Sequence, residues 1–176
     1  MIMYKEFRVD KQMRLHPLFV NPDEIIQIGV WLQAQEGQRT VNGRVKSKLG
    51  ELAFRPGWHL SRMPYAPHIG IKENGVIKYM HPDTVWCECE VHEGHDYTPE
   101  ARRAGMKNGK LNPRNAYLKE LPKGGFYWYN TNPNAYGDWM IADLIMVNRM
   151  LTDEETARIC WTKFGIHAQL RMPNAA

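Results

Sequence analysis

Arg55-Pro-Gly-Trp-His59 sets a guanidinium, an indole and an imidazole within five residues, and Ser61, Arg62, Tyr65 and His68 follow closely. An indole face stacks on a heterocycle, and guanidinium groups pair with phosphate through a planar fork, so this composition suits a nucleotide site. Arg55, Trp58, Arg62 and Tyr65 are the candidate binding side chains, and His59 is the candidate catalytic one. The competing structural reading has Trp58 plugging a sheet end and His59 bonded to a backbone carbonyl. A second aromatic run, Phe126-Tyr-Trp-Tyr-Asn-Thr-Asn, places Tyr129 beside Asn130. There a ring could hold a base while an amide reads its edge. Asp143 lies alone within the apolar stretch Trp139–Val147. A buried carboxylate costs several kcal/mol unless it is paired, so Asp143 is expected to meet Arg55 or Arg149, or to face a polar cleft as a candidate catalytic group.

Cys87, Cys89, His92 and His95 fall within nine residues and raise a zinc reading. Tetrahedral ligation needs all four to converge, and Cys-x-Cys is not the commoner Cys-x-x-Cys spacing. Strand alternation already accounts for both thiols as small apolar side chains on one face, so no metal is expected. No Gly-rich phosphate loop, Gly-x-Ser-x-Gly elbow, His-Glu-x-x-His or calcium loop occurs in the sequence, which leaves out the commonest hydrolase and kinase signatures.

Lys plus Arg exceed Asp plus Glu by 23 to 19, a net charge of +4. That excess favours an anionic small ligand and gives only weak support to a nucleic-acid partner. No run reaches the roughly 18 to 20 apolar residues that a membrane-spanning helix needs. The opening Met1-Ile-Met-Tyr-Lys-Glu-Phe-Arg lacks a signal-peptide plan. A cytoplasmic protein with no membrane partner is the expectation, and three cysteines, an odd number, suit a reducing compartment.

Several short elements must position these groups. Tyr4–Val9 and Leu15–Val20 read as a hairpin, 31–45 as an exposed loop or hairpin tip, and Leu49–Phe54 as a strand stopped by the Pro-Gly turn that presents Trp58 and His59. Asn74-Gly75 signals a tight hairpin. Val85–Val91 alternates cleanly, while Phe126–Tyr129 and Trp139–Val147 complete the strands. Thr98-Pro99 to Gly105 and Thr152 to Gly165 carry helix start and stop signals. The predicted class is α+β, mostly antiparallel sheet with about two short helices. A single domain spans 1–176, with its core at 49–165 and an N-terminal β extension at 1–48.

Leu52-Ala-Phe-Arg-Pro-Gly-Trp-His-Leu-Ser-Arg-Met-Pro-Tyr-Ala-Pro-His-Ile, Trp86-Cys-Glu-Cys-Glu-Val and Trp139 to Leu151-Thr-Asp-Glu-Glu resemble a family of uncharacterised bacteriophage and mobile-element proteins. The same module occurs in large polyvalent phage proteins injected with the genome. A more distant resemblance is to ADP-ribosyltransferase-like domains. It implies NAD as substrate, His59 at the ribose, Tyr65 or Tyr79 stacked on nicotinamide, and a host protein as acceptor. The glutamate of that family has no counterpart on the late strand, where Asp143 stands instead. The alternative implied by the phage resemblance is a non-catalytic structural, ejected or anti-defence binding protein, associated with the virion or acting in the host cytoplasm.

Overall fold

Alternation along the strand Ile2–Val9 sends Met3, Lys5 and Phe7 to one face and Tyr4 and Glu6 to the other. The neighbouring strand Thr84–Val91 does the same, with Cys87, Cys89 and Val91 on the face shared with Met3 and Phe7. A computed structural model describes residues 1–173. It shows an α+β fold with a nine-stranded, almost wholly antiparallel sheet and the two helices Thr98–Ala104 and Asp153–Phe164. Across the sheet run His95–Asp96, Gly125–Tyr129, Trp139–Ala142, Trp58–Ser61, Ile2–Val9, Thr84–Val91, Leu144–Met150 and Trp31–Gln33, while Leu15–His16 pairs with the end of Ile2–Val9. Among the strands of the described residues, only His95–Asp96 runs parallel to its neighbour.

The stretch expected as one strand from Trp139 is broken at Asp143 into two. Trp139–Ala142 pairs with Trp58–Ser61, whereas Leu144–Met150 pairs with Thr84–Val91. One residue thus joins strands that are separated in the sheet by three others, and the sheet must curl until the two meet. The result is an incompletely closed barrel. Its interior holds Met3, Phe7, Leu60, Cys87, Cys89, Met140, Ala142, Ile145 and Val147, all without solvent exposure. The first 48 residues, read from sequence as an extension, supply the central strand of this barrel.

Each helix covers part of the outer surface. Ala101 of the first packs on Tyr127 and Ile141, and Ile159 of the second joins Tyr4, Trp86 and Leu151. Thr152 and Glu155 form a reciprocal capping box, and Gly165 ends the helix at φ 67°, as the sequence signals indicate. Thr98 does not cap; its hydroxyl accepts from the Trp128 N–H at 3.0 Å, tying the first helix to the aromatic strand. Trp31–Gln33, expected as loop, is an edge strand. Gly50–Leu52 pairs only with Val45–Ser47 in a separate hairpin, so the main-sheet strand starts after the Pro-Gly turn.

Phe7 is fully enclosed in the barrel. Phe7→Ala should lower unfolding free energy by about 3–5 kcal/mol, measured by urea denaturation, because the ring's contacts and the space it fills are both lost.

Candidate functional site

Ile2–Val9 and Trp58–Ser61 pair at a single position, Tyr4 opposite Ser61. Continued register would oppose Lys5 to Leu60, Glu6 to His59 and Phe7 to Trp58, but the strands separate there. Lys5 Nζ crosses the gap and donates to the His59 carbonyl at 3.1 Å. This parting opens a cavity of about 560 Å³, within the size range of small-molecule sites. Lys5 and Glu6 line it from one strand and Trp58 and His59 from the other, with Arg55, Trp86, Tyr129 and Asn130 completing the walls. The segment Pro17–Asn21, the hairpin residues Val45 and Leu52, and the turn Pro67–Ile69, of which His68 and Ile69 reach the lining, form its rim.

The turn before Trp58 depends on Gly57. Its φ is +133°, and a Cβ there would lie 2.3 Å from Ile141 Cγ2 and 3.2 Å from the Ala142 carbonyl oxygen. Only glycine fits that backbone at that distance. The turn aims Trp58 into the barrel mouth, where it is 7% exposed and its indole N–H donates to the Leu32 carbonyl at 3.0 Å. The strand starting at Trp58 sends His59 to the opposite face.

His59 Nε2 lies 2.8 Å from the Arg55 carbonyl, which can only accept, so Nε2 carries the hydrogen. Nδ1 is then the acceptor for the Tyr129 hydroxyl at 3.0 Å. Burial, with the Arg55 charge beside it, holds the imidazole down at about 3, and burial pushes the Tyr129 phenol up to about 12. Both groups are neutral near pH 7. His59 therefore spends both nitrogens in holding the Arg55 turn and Tyr129 together, and offers neither a free base nor an acid to the cavity.

Arg55 sits over the rings of Tyr117 and Tyr129, 5.7 and 5.8 Å from their centroids. One of its terminal nitrogens donates to the Thr131 hydroxyl. Among the described residues it has no carboxylate partner, and its buried Nε bonds nothing. Trp86 Nε1 and His68 Nδ1, both on the cavity lining, are likewise buried without partners. Buried polar atoms left unbonded are rare in folded proteins, and here three belong to residues that line one cavity. Glu6 is 6% exposed beside Trp86, and desolvation raises its carboxyl to about 7 against the opposing pull of Thr84 and Arg171.

The cavity thus gathers Arg55, Trp58, His59, Tyr129 and Asn130 from the sequence candidates, and leaves out three others. Arg62 pairs with Asp138 at 3.3 Å and lies 4.5 Å from the Trp128 ring centroid. Tyr65 packs against Tyr136. Asp143 is 3% exposed at the barrel corner, where one carboxylate oxygen accepts from the Gly124 N–H at 2.9 Å and from Gln33 at 3.5 Å. Neither expected arginine meets it, since Arg149 is engaged by Glu88 and Glu155. Its neighbours are backbone and amide donors, and this is a structural corner rather than a wall of the cavity. Cys87 and Cys89 face the barrel interior, while His92 and His95 are exposed beyond the strand end, so the four do not converge. Among the described residues no group of three or more His, Cys, Asp or Glu is placed to hold a metal ion, and no helix is long and apolar enough to cross a membrane.

Lys5, Glu6 and Trp86 were missed as candidates. A signal for Lys5 was present: it breaks the apolar row Met3-x-Lys5-x-Phe7, and a charge inside such a row needs an outlet. Comparison with protein-family models, curated proteins and solved structures finds no match to this chain.

His59 titrates far lower folded than its unfolded value of about 6.5, so the unfolded chain binds more protons in acid. Its contribution is present above pH 6.5 and is lost as pH falls toward 3. His59→Gln should flatten the stability-versus-pH slope between pH 6 and 4 by up to about 1.4 kcal/mol per unit, read by urea denaturation across that range. Glu6 runs the other way. With its folded value raised to about 7, stability is lost as pH rises from about 4.5 through 7. Glu6→Gln should therefore be about 2 kcal/mol more stabilising at pH 8 than at pH 5.

Proposed function

We propose that the cavity binds a planar, anionic small molecule of the nucleotide class. The single observation that carries this reading is Arg55, a cation without a carboxylate partner and with a buried unbonded Nε, held beside aromatic walls in a ligand-sized space. A cation so placed offers charge-assisted hydrogen bonds to phosphate or carboxylate, and Trp58 and Tyr129 supply apolar ring surface.

NAD is the first ligand to test, on the strength of the ADP-ribosyltransferase-like resemblance. Transfer of ADP-ribose would ask for a carboxylate near the developing positive charge of the ribose. Asp143 lies outside the cavity and both nitrogens of His59 are engaged, which supports binding without transfer. That favours the phage-protein alternative, a non-catalytic nucleotide-responsive module acting in the host cytoplasm or carried with the virion, with a host protein as its further partner.

Calorimetry with NAD, AMP and inorganic pyrophosphate should show saturable binding of at least one nucleotide. Arg55→Met should weaken that binding by about 10- to 100-fold, the loss of a charged hydrogen bond. Lysate incubated with labelled NAD and the protein should acquire no label. Absence of binding by any of the three compounds removes this reading, and label transfer would restore the enzymatic one.

A further inference from the structure

Lys5 stands apart among the cavity's polar groups because nothing in the binding reading uses it. It lies on the inward row of its strand between Met3 and Phe7, at a position where an apolar side chain would complete the barrel. Its Nζ is 5.2 Å from the Phe7 ring centroid and 5.7 Å from that of Trp58. Its one hydrogen bond is to a neutral acceptor, the His59 carbonyl. Among the described residues no carboxylate is within ion-pair distance. A structural lysine would be expected to carry its charge out to solvent or to an acidic partner. This one ends among aromatic rings on the wall of an open cavity.

We propose that Lys5 is a reactive amine that condenses with a small aldehyde entering the cavity to form an imine at Nζ. The inference rests on the cavity reading above and adds to it the chemical class of the ligand, an anionic planar molecule bearing a carbonyl carbon. The neutral amine keeps one N–H on the His59 carbonyl while its lone pair attacks the carbonyl carbon. The carbonyl oxygen then leaves as water with both Nζ hydrogens, so the C=N bond replaces C=O and no oxidant or reductant takes part. Arg55 would hold the anionic group of the same ligand.

The local environment suits this chemistry. Burial brings the Lys5 ammonium down to about 8, against the upward pull of Cys89, Glu6 and Cys87. At pH 7 such an amine is neutral on the order of 100 times more often than an exposed lysine titrating near 10.4.

Pyridoxal 5′-phosphate and its phosphate-free analogue pyridoxal serve as aldehyde probes, each added to the intact protein and fixed with borohydride. Peptide mass spectrometry then reads the rate at every lysine, with fragment ions separating Lys5 from the Met1 amine. Lys5 should be labelled at least about tenfold faster than the mean of the exposed lysines, and Lys5→Arg should remove the fast-reacting site. Uniform labelling, or fast labelling confined to Met1, overturns the proposal. Thermal stabilisation by pyridoxine 5′-phosphate, which has no aldehyde, reports anion binding separately. Stabilisation with no fast Lys5 adduct overturns the imine and leaves the cavity reading standing. Fast labelling by pyridoxal alone, without stabilisation, supports the reactive lysine and removes the anion site.

Discussion

A strand cannot belong to both ends of a flat sheet. Trp139–Ala142 and Leu144–Met150 are nearly one strand, joined by Asp143 alone, yet they pair with different partners on opposite sides of Ile2–Val9. Their covalent continuity forces the sheet to curl, and the curl encloses a core of Met3, Phe7, Cys89, Met140 and Val147. The corner itself is held by hydrogen bonds: Asp143 accepts from Gly124 through its side chain, its N–H donates to Gly125, and its carbonyl accepts from Ala34. A carboxylate at this point caps backbone donors that the bend would otherwise leave bare. That role accounts for one carboxylate oxygen, while the other, Oδ1, is buried without a partner.

The same curl leaves one seam unfinished. The backbones of Ile2–Val9 and Trp58–Ser61 pair only where Tyr4 opposes Ser61, and the barrel opens beside Lys5 and Glu6, with the Lys5 side chain reaching across to the His59 carbonyl. Open seams expose backbone and ring surface that water or a ligand must cover. Here the walls hold the rings of Trp58, Trp86 and Tyr129 together with Arg55 and Lys5. His59, the most conspicuous residue in the sequence, acts as a joint: the Arg55 carbonyl and the Tyr129 hydroxyl lock it neutral.

Much of the site was legible from local chemistry. Arg55, Trp58, Tyr129 and Asn130 come together as aromatic and cationic side chains near turns, and Gly57 explains why the turn carrying the first two is so tight. Arg62 and Tyr65 were read as ligand groups because they lie near that turn in sequence. The strand beginning at Trp58 carries the chain away from the cavity within four residues, and both side chains find surface partners there. Closeness along the chain persists in space only where no extended strand intervenes, since each residue of strand advances the chain by about 3.3 Å.

Periodicity and end signals in the sequence alone determined the α+β class, the alternating strand Thr84–Val91, and the helix from Asp153 to its Gly165 stop, because each depends on neighbours a few residues apart. Tertiary structure alone decided that the first strand is central, that Asp143 is a corner, and that Lys5 ends in a cavity beside Arg55. Those outcomes depend on which strands find each other across fifty or more residues, and no local pattern encodes where a ladder will stop.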